Sequence, residues 1–102
     1  MSVDRLLADI ASWPPERWAV ETAGWTGASL ILLAYLLLSA GKLTGQSPAY
    51  QWMNVIGASG FVVNGWWHGA IPSAVLNIIW FMIGGVSLWR IAAKRRSSTS
   101  AM

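Results

Sequence analysis

The sequence has very little charge, and the few charged residues lie towards its two ends. Only 11% of the 102 residues are charged, 55% are hydrophobic, and no Lys, Arg, Asp or Glu occurs between Lys42 and Arg90. A water-soluble domain carries roughly a quarter of its residues as charges, because every surface helix needs a polar face. The long charge-free segment therefore argues against a water-soluble domain and indicates that a lipid bilayer is its solvent.

Cysteine is absent, and histidine occurs once, at His68. The lack of cysteine excludes disulfides, thiolate metal sites and cysteine nucleophiles, and a single histidine does not make a metal site. The apolar segments contain no carboxylate, and the sequence has no Ser/His/Asp grouping, phosphate loop or zinc motif. We therefore expect a protein that is not an enzyme and that has no catalytic residue, bound metal or cofactor.

Three apolar segments are long enough to cross a bilayer, for which about 20 residues are needed. The sequence predicts membrane helices at about 22–41, 49–67 and 72–90 within a domain of residues 22–91. Gly69 is expected to cap the second helix in a left-handed conformation, and Pro72 suits the first turn of the third. The expected fold class is all-α, an integral membrane three-helix bundle with a short amphipathic N-terminal helix.

The two ends of the chain flank this domain. Residues 1–21 predict an amphipathic helix followed by a Pro-containing linker. That helix is either a surface-lying membrane anchor or, as we favour, a helix packed over the outer ends of the spans. Residues 92–102 are expected to form a basic, then Ser-rich, cytoplasmic tail, in which residues 97–102 are disordered. The apolar residues of the N-terminal helix share one face: Val3, Leu6, Leu7 and Ile10.

The cations predict how the chain is oriented. With three crossings they divide into five on one side and two on the other: Lys42, Arg90, Lys94, Arg95 and Arg96 against Arg5 and Arg17. Because cytoplasmic loops carry the excess of Lys and Arg, we expect a multi-pass protein of the bacterial inner membrane with its N-terminus outside and its C-terminus in the cytoplasm. The basic flank faces lipid headgroups, so the bilayer is an expected partner and nucleic acid is not.

Each predicted span has one face of polar or small residues, as helical spacing shows. These faces are either packing seams joined by amide hydrogen bonds, which we favour, or the lining of a polar cavity that admits a small polar solute. Asn64 and Asn77 are expected at similar depth on adjacent helices. His68 is expected at a helix end in an outer-face turn with Gly69 and Pro72. The candidate pocket or helix-contact residues are Asn54, Asn64, Asn77, Trp80 and Tyr35.

Three stretches of the sequence carry a resemblance to a known family. They are "GASLILLAYLLLSAGKL", "YQWMNVIGASGFVVNG" and "HGAIPSAVLNIIWFMIG". Together they resemble the CBU-like family of small bacterial membrane proteins, which has no established biochemical function. The resemblance implies a multi-span inner-membrane protein and supplies no catalytic residues.

The sequence has a looser similarity to bacterial half-transporters of the SWEET type. Those proteins have a polar Asn in the third span, and Asn77 would match it. The sequence departs from that pattern at "LSAGKL", where no Pro-Gln pair ends the first span. Two functions therefore stay open. The first is a structural or accessory membrane protein that forms a homo-oligomer, since three helices alone enclose little volume. The second is a half-transporter-like dimer that passes a small polar solute through an Asn-lined pocket.

Overall fold

The computed structural model describes residues 2–101, and the side chains of residues 2–97. The described chain consists of four helices, α1 at Val3–Ala11, α2 at Pro15–Ser39, α3 at Pro48–Trp67 and α4 at Ile71–Ala101. The all-α class is therefore confirmed. In this part of the chain two segments are long and apolar enough to cross a membrane, α2 and residues Ile71–Ser97 of α4.

The three long helices lie side by side with α3 in the middle. Both α2 and α4 pack along α3, whereas no Cα of α2 lies within 8 Å of a Cα of α4 in the described chain. The arrangement is therefore more open than the predicted three-helix bundle. Its physical cause is the position of the small residues of α3, because Gly57 and Gly60 contact α2 while Gly65 lies against α4 on another side of the helix.

Small residues set how closely these helices approach. A Cβ at Gly27 of α2 would lie 2.5 Å from the carbonyl oxygen of Gly57, and one at Gly60 would overlap the carbonyl oxygen of Ala23. The most buried apolar side chains are alanines, and no large side chain is fully buried among the described residues. Most large apolar side chains instead face outward, as expected where lipid surrounds the helices.

The start of α2 differs from the predicted boundary. Pro14 is extended, with φ −66° and ψ 160°, and Pro15 occupies the first turn of the helix. The missing N–H and fixed φ of proline suit that position, so the second proline begins a helix instead of extending the linker. The linker expected within residues 1–21 is therefore limited to residues 12–14, and α2 begins several residues before the predicted span.

The end of α4 also differs. Residues 97–102 were expected to be disordered, yet α4 continues to Ala101; Met102 lies outside the described residues. No Gly or Pro occurs after Gly85, and the residues that follow Arg90 include several strong helix formers such as Ala, Lys and Arg. The apolar part of α4 can therefore continue into the basic segment without a break.

Glycine ends both α2 and α3 in the left-handed conformation. Gly41 has φ +75° and Gly69 has φ +70°. After α3, the N–H of Gly69 donates to the carbonyl of Trp66 at 3.2 Å, and the N–H of Ala70 donates to that of Gly65 at 2.8 Å. These two bonds form a Schellman cap. The predicted roles of Gly69 as the cap and of Pro72 in the first turn of α4 are confirmed.

Candidate functional site

Asn54 joins α3 to α4 through its side chain. It is only 5% exposed. Its Nδ2 donates to the carbonyl of Tyr50 at 2.8 Å, and its Oδ1 accepts a hydrogen bond of 3.2 Å from Nε1 of Trp80. An indole N–H that is removed from water needs an acceptor, and Asn54 supplies it for Trp80 in the middle of α4. Two of the candidate residues therefore meet in the α3–α4 seam.

Asn64 makes the corresponding contact on the other side of α3. Its Nδ2 donates to the carbonyl of Val20 on α2 at 3.1 Å. Gly24 makes room for this bond, because a Cβ there would lie 2.5 Å from Nδ2 of Asn64. The amide thus contacts the α2 backbone directly and helps to fix the relative height of the two helices.

Asn77 has no such contact with another helix. Its Nδ2 donates to the carbonyl of Ser73 on α4 itself, at 2.9 Å, and no donor among the described residues reaches its Oδ1. The side chain lines a cleft of about 370 Å³ between α2 and α4, with Phe61 of α3 between them. The remaining lining residues are Ile31, Ser73, Leu76 and Trp80. An amide carbonyl is therefore presented to an open, largely apolar cleft.

The structure does not bring Asn64 and Asn77 together. Asn64 lines a separate cleft of about 270 Å³ with Glu21, Trp25 and Phe61, and Phe61 also borders the cleft that contains Asn77. No hydrogen bond joins the two amides in the described chain. The expected similarity in depth did not indicate the direction in which each side chain points. Asn64 bonds to α2, and no Cα of α2 lies within 8 Å of a Cα of α4 in the described chain.

Tyr35 lies outside both clefts. The tyrosine is 63% exposed, whereas the preceding residue, Ala34, is fully buried. Successive residues of a helix are about 100° apart around its axis, as 3.6 residues per turn requires, so the burial of Ala34 in the helix contact directs Tyr35 towards the surroundings. Sequence spacing placed both on one broad side of α2, which was too coarse to separate them.

His68 has a partner that sequence reasoning missed. Its Nε2 lies 2.5 Å from Oε1 of Glu21, with the histidine side chain 38% exposed and that of the glutamate 19% exposed. The two residues are 47 positions apart, so no local pattern connects them. The antiparallel pairing of the first two spans was the available signal, because it places the start of α2 beside the end of α3. The pair links these helices next to the turn formed by Gly69 and Pro72.

An aromatic and cationic cluster marks the first turn of α2. The guanidinium of Arg17 lies 4.4 Å from the ring centroid of Trp13. The rings of Trp13 and Trp18 meet edge to face, with centroids 5.3 Å apart. Tryptophan and arginine of this kind are typical of the boundary between lipid and water.

Within the described residues, no group of three or more His, Cys, Asp or Glu side chains could hold a metal ion.

Comparisons with known proteins give one match. No curated protein and no solved structure matches the chain, and the similarity to SWEET-type half-transporters has no support. A family model matches residues 20–96, which is well over half of the chain and includes the three asparagines, Trp80 and the turn after α3. This is the family that the three sequence stretches resemble, and the chain belongs to the CBU-like family.

Proposed function

We propose that this CBU-like protein crosses the bacterial inner membrane three times and serves as a structural or accessory subunit of a homo-oligomer. The observation that carries the proposal is the open cleft between α2 and α4, where Oδ1 of Asn77 has no donor within the described chain. A polar side chain at membrane depth needs a partner. A second copy of the chain can both close the cleft and supply that partner.

The central position of α3 supports a third crossing. Within the described chain, α3 is not one of the two helices that are apolar enough to cross a membrane by composition alone, and it contains amides and several glycines. Asn54 and Asn64 direct their polar groups to α4 and α2 or to their own helix. One side of α3 carries apolar, exposed side chains at helical spacing: Trp52, Ile56 and Val63. A helix of this kind can cross lipid between two helices that are each apolar enough to cross by composition alone.

The distribution of cations supports an outer N-terminus. Lys42 lies in the connection between α2 and α3, and the basic end of α4 lies at the same end of the antiparallel layer. Arg5 and Arg17 lie at the other end. Since excess Lys and Arg favour the cytoplasmic side, the C-terminal end of α4 is assigned to the cytoplasm.

A structural role fits the hydrogen bonds of the other two asparagines. Asn54 and Asn64 each bond within or across a helix contact, as residues that join helices do. The second candidate function is a half-transporter-like dimer. It is favoured by the cleft of about 370 Å³ that contains Asn77 and Trp80, because two such clefts facing each other would form a path in which the Asn77 amides meet a small polar solute.

The absence of cysteine allows a direct test of the oligomer. We would introduce Leu76→Cys, at the border of the cleft, and Ile56→Cys, on the outward side of α3, as a matched control; both leucine and isoleucine are exposed. Oxidative crosslinking in native membranes should give dimers with Leu76→Cys and few with Ile56→Cys. Monomers alone from Leu76→Cys, with intact expression, would contradict the proposed interface.

A second measurement separates the two functions. Purified protein is reconstituted into liposomes, and the entry of glycerol and of glucose is followed by light scattering during swelling. A structural subunit should leave both rates at those of protein-free liposomes. Entry that is accelerated by the unaltered protein and abolished by Asn77→Ala, with the dimer retained, would overturn the structural role in favour of transport.

A further inference from the structure

The first helix has an apolar face that no other part of the described chain covers. Val3, Leu6 and Leu7 are 71%, 44% and 59% exposed, and α1 contacts none of the other helices. The expected packing of α1 over the outer ends of the spans is therefore not found. The helix is nevertheless well formed, because the Ser2 side chain accepts from the N–H of Arg5 at 3.2 Å and caps its first turn.

Something outside this chain's fold must stabilise α1. A helix of nine residues is too short to be stable alone in water, where about 12 to 15 residues are needed even for favourable sequences. Its polar and apolar residues are cleanly separated around the axis. Val3, Leu6, Leu7 and Ile10 share one side, while Asp4, Arg5 and Asp9 lie on the other. This separation is the pattern of a helix at the boundary between an apolar and an aqueous phase.

The position of α1 indicates which apolar phase it meets. Only residues 12–14 separate it from α2, which is long and apolar enough to cross a membrane. At the junction lie Trp13, Arg17 and Trp18, whose edge-to-face rings and guanidinium are suited to the headgroup layer. The three-residue connection therefore holds α1 close to the surface from which α2 enters the bilayer.

The size of the apolar face favours lipid over a protein partner. Stable protein interfaces bury about 800 Å² on each partner and involve roughly 20 to 30 residues a side. The apolar face of α1 has four side chains, which is far fewer. A lipid surface requires no such area, because α2 already tethers the helix and keeps its local concentration at the membrane high.

We propose that α1 lies along the outer surface of the membrane, with Val3, Leu6, Leu7 and Ile10 among the upper acyl chains and Asp4 and Asp9 in water. The helix carries two acidic residues and one basic residue. Its surface is therefore suited to zwitterionic headgroups, and anionic lipid should not be required. This inference rests on the proposed membrane crossing of α2.

The test places a spin label on each side of α1 in the full-length chain. Leu7→Cys lies on the apolar face of α1, and Ala8→Cys lies about 100° further round the helix, between Asp4 and Arg5 on the polar face; both positions are exposed. Val63→Cys, on the outward face of α3, is the reference for membrane insertion. Each variant is labelled in phosphatidylcholine vesicles, and collisions are measured with oxygen, which concentrates in lipid, and with a water-soluble nickel chelate. The ratio of oxygen to nickel collisions should be severalfold higher at position 7 than at position 8.

The outcomes separate this inference from the proposed function. High oxygen accessibility at position 63 together with high nickel accessibility at both positions of α1 would overturn the surface location and leave the membrane crossing intact. Protection of position 7 from both reagents would mean that a protein covers α1, which also overturns it. Nickel accessibility at position 63 would instead contradict the crossing itself. A ratio at position 7 that rises only when phosphatidylglycerol is added would overturn the zwitterionic preference.

Discussion

The two sides of α3 are held by different kinds of contact. On the α2 side, glycines bring backbone against backbone, with Gly60 at the carbonyl of Ala23 and Gly27 at that of Gly57. On the α4 side, the contact is made by side chains, with Val55 packed on Gly84 and Trp80 bonded to Asn54. Backbone cannot move aside without bending a helix, whereas a side chain can change rotamer. The α2–α3 contact should therefore tolerate substitution much less than the α3–α4 contact.

The largest effect is expected when one methyl group is added to the α2–α3 contact, and the same change at the α3–α4 contact is the comparison. Gly60→Ala would place a Cβ on the carbonyl oxygen of Ala23, and we expect it to cost about 2 to 3 kcal/mol, as overpacking of a rigid contact does. Gly84→Ala would meet Cγ2 of Val55 at 2.7 Å, and rotation of the valine should reduce the cost to about 1 kcal/mol. Reversible unfolding in mixed micelles containing SDS, followed by circular dichroism, measures both.

Gly85→Ala is the matched control for these two variants. A Cβ at Gly85 would have no atom within 4 Å, and alanine is a better helix former than glycine by about 1 kcal/mol in soluble helices. The control should therefore be neutral or stabilising. If Gly84→Ala destabilised the protein as much as Gly60→Ala, the distinction between backbone and side-chain contact would be wrong.

The next effect compares the two asparagines. Asn54→Ala removes the acceptor of the Trp80 N–H from a buried position, and we expect a loss of about 1 to 2 kcal/mol. Asn64→Ala removes a bond to the Val20 carbonyl at a half-buried position and should cost about 0.6 kcal/mol, the usual value for such contacts in membranes. Here the order of the two sides is reversed, because the contact of α3 with α4 around Asn54 is made by side chains.

A double-mutant cycle isolates the bond on the α4 side. The effects of Asn54→Ala and of Trp80→Phe, which removes the N–H donor, are measured singly and together in the same unfolding assay. Because both substitutions remove the same hydrogen bond, their effects should add to more than the effect of the double variant. Additive effects would show that the two side chains do not stabilise each other.

Equal effects are expected at the two turns. Gly41 and Gly69 both have positive φ and lie in open space, since a Cβ added at either would have no atom within 4 Å. Alanine at either position should cost about 1 kcal/mol because an L-residue is strained in the left-handed region. Gly45→Ala, where φ is not positive and space is free, is the control. Unequal costs at Gly41 and Gly69 would mean that the turns contribute to the difference between the two helix contacts.

The sequence predicted those features that depend on neighbours along the chain. The left-handed cap at Gly69 needs only glycine before a proline-initiated helix, and the small faces of the helices follow from spacing. The sequence did not predict the features that depend on how the helices meet. Periodicity gives the face on which Asn64 lies, yet the bond to Val20 exists because Gly24 admits the amide. The same limit concealed the pairing of His68 with Glu21.

The smallest effect is expected at that pair, which adds an exposed contact to the backbone contact between α2 and α3. Glu21→Gln keeps the size of the side chain and one oxygen that can accept from His68, and removes the charge. Since His68 is 38% exposed, solvent screens the interaction and the change in unfolding free energy should be about 0.5 kcal/mol or less. His68→Ala should have a similarly small effect, because neither residue is needed for the glycine contacts below them. Glu21→Gln could instead lower the unfolding free energy as much as Gly60→Ala does. The main contact that holds α2 to α3 would then be the one between Glu21 and His68. The close approach of the two backbones would be a consequence of that contact and not its cause.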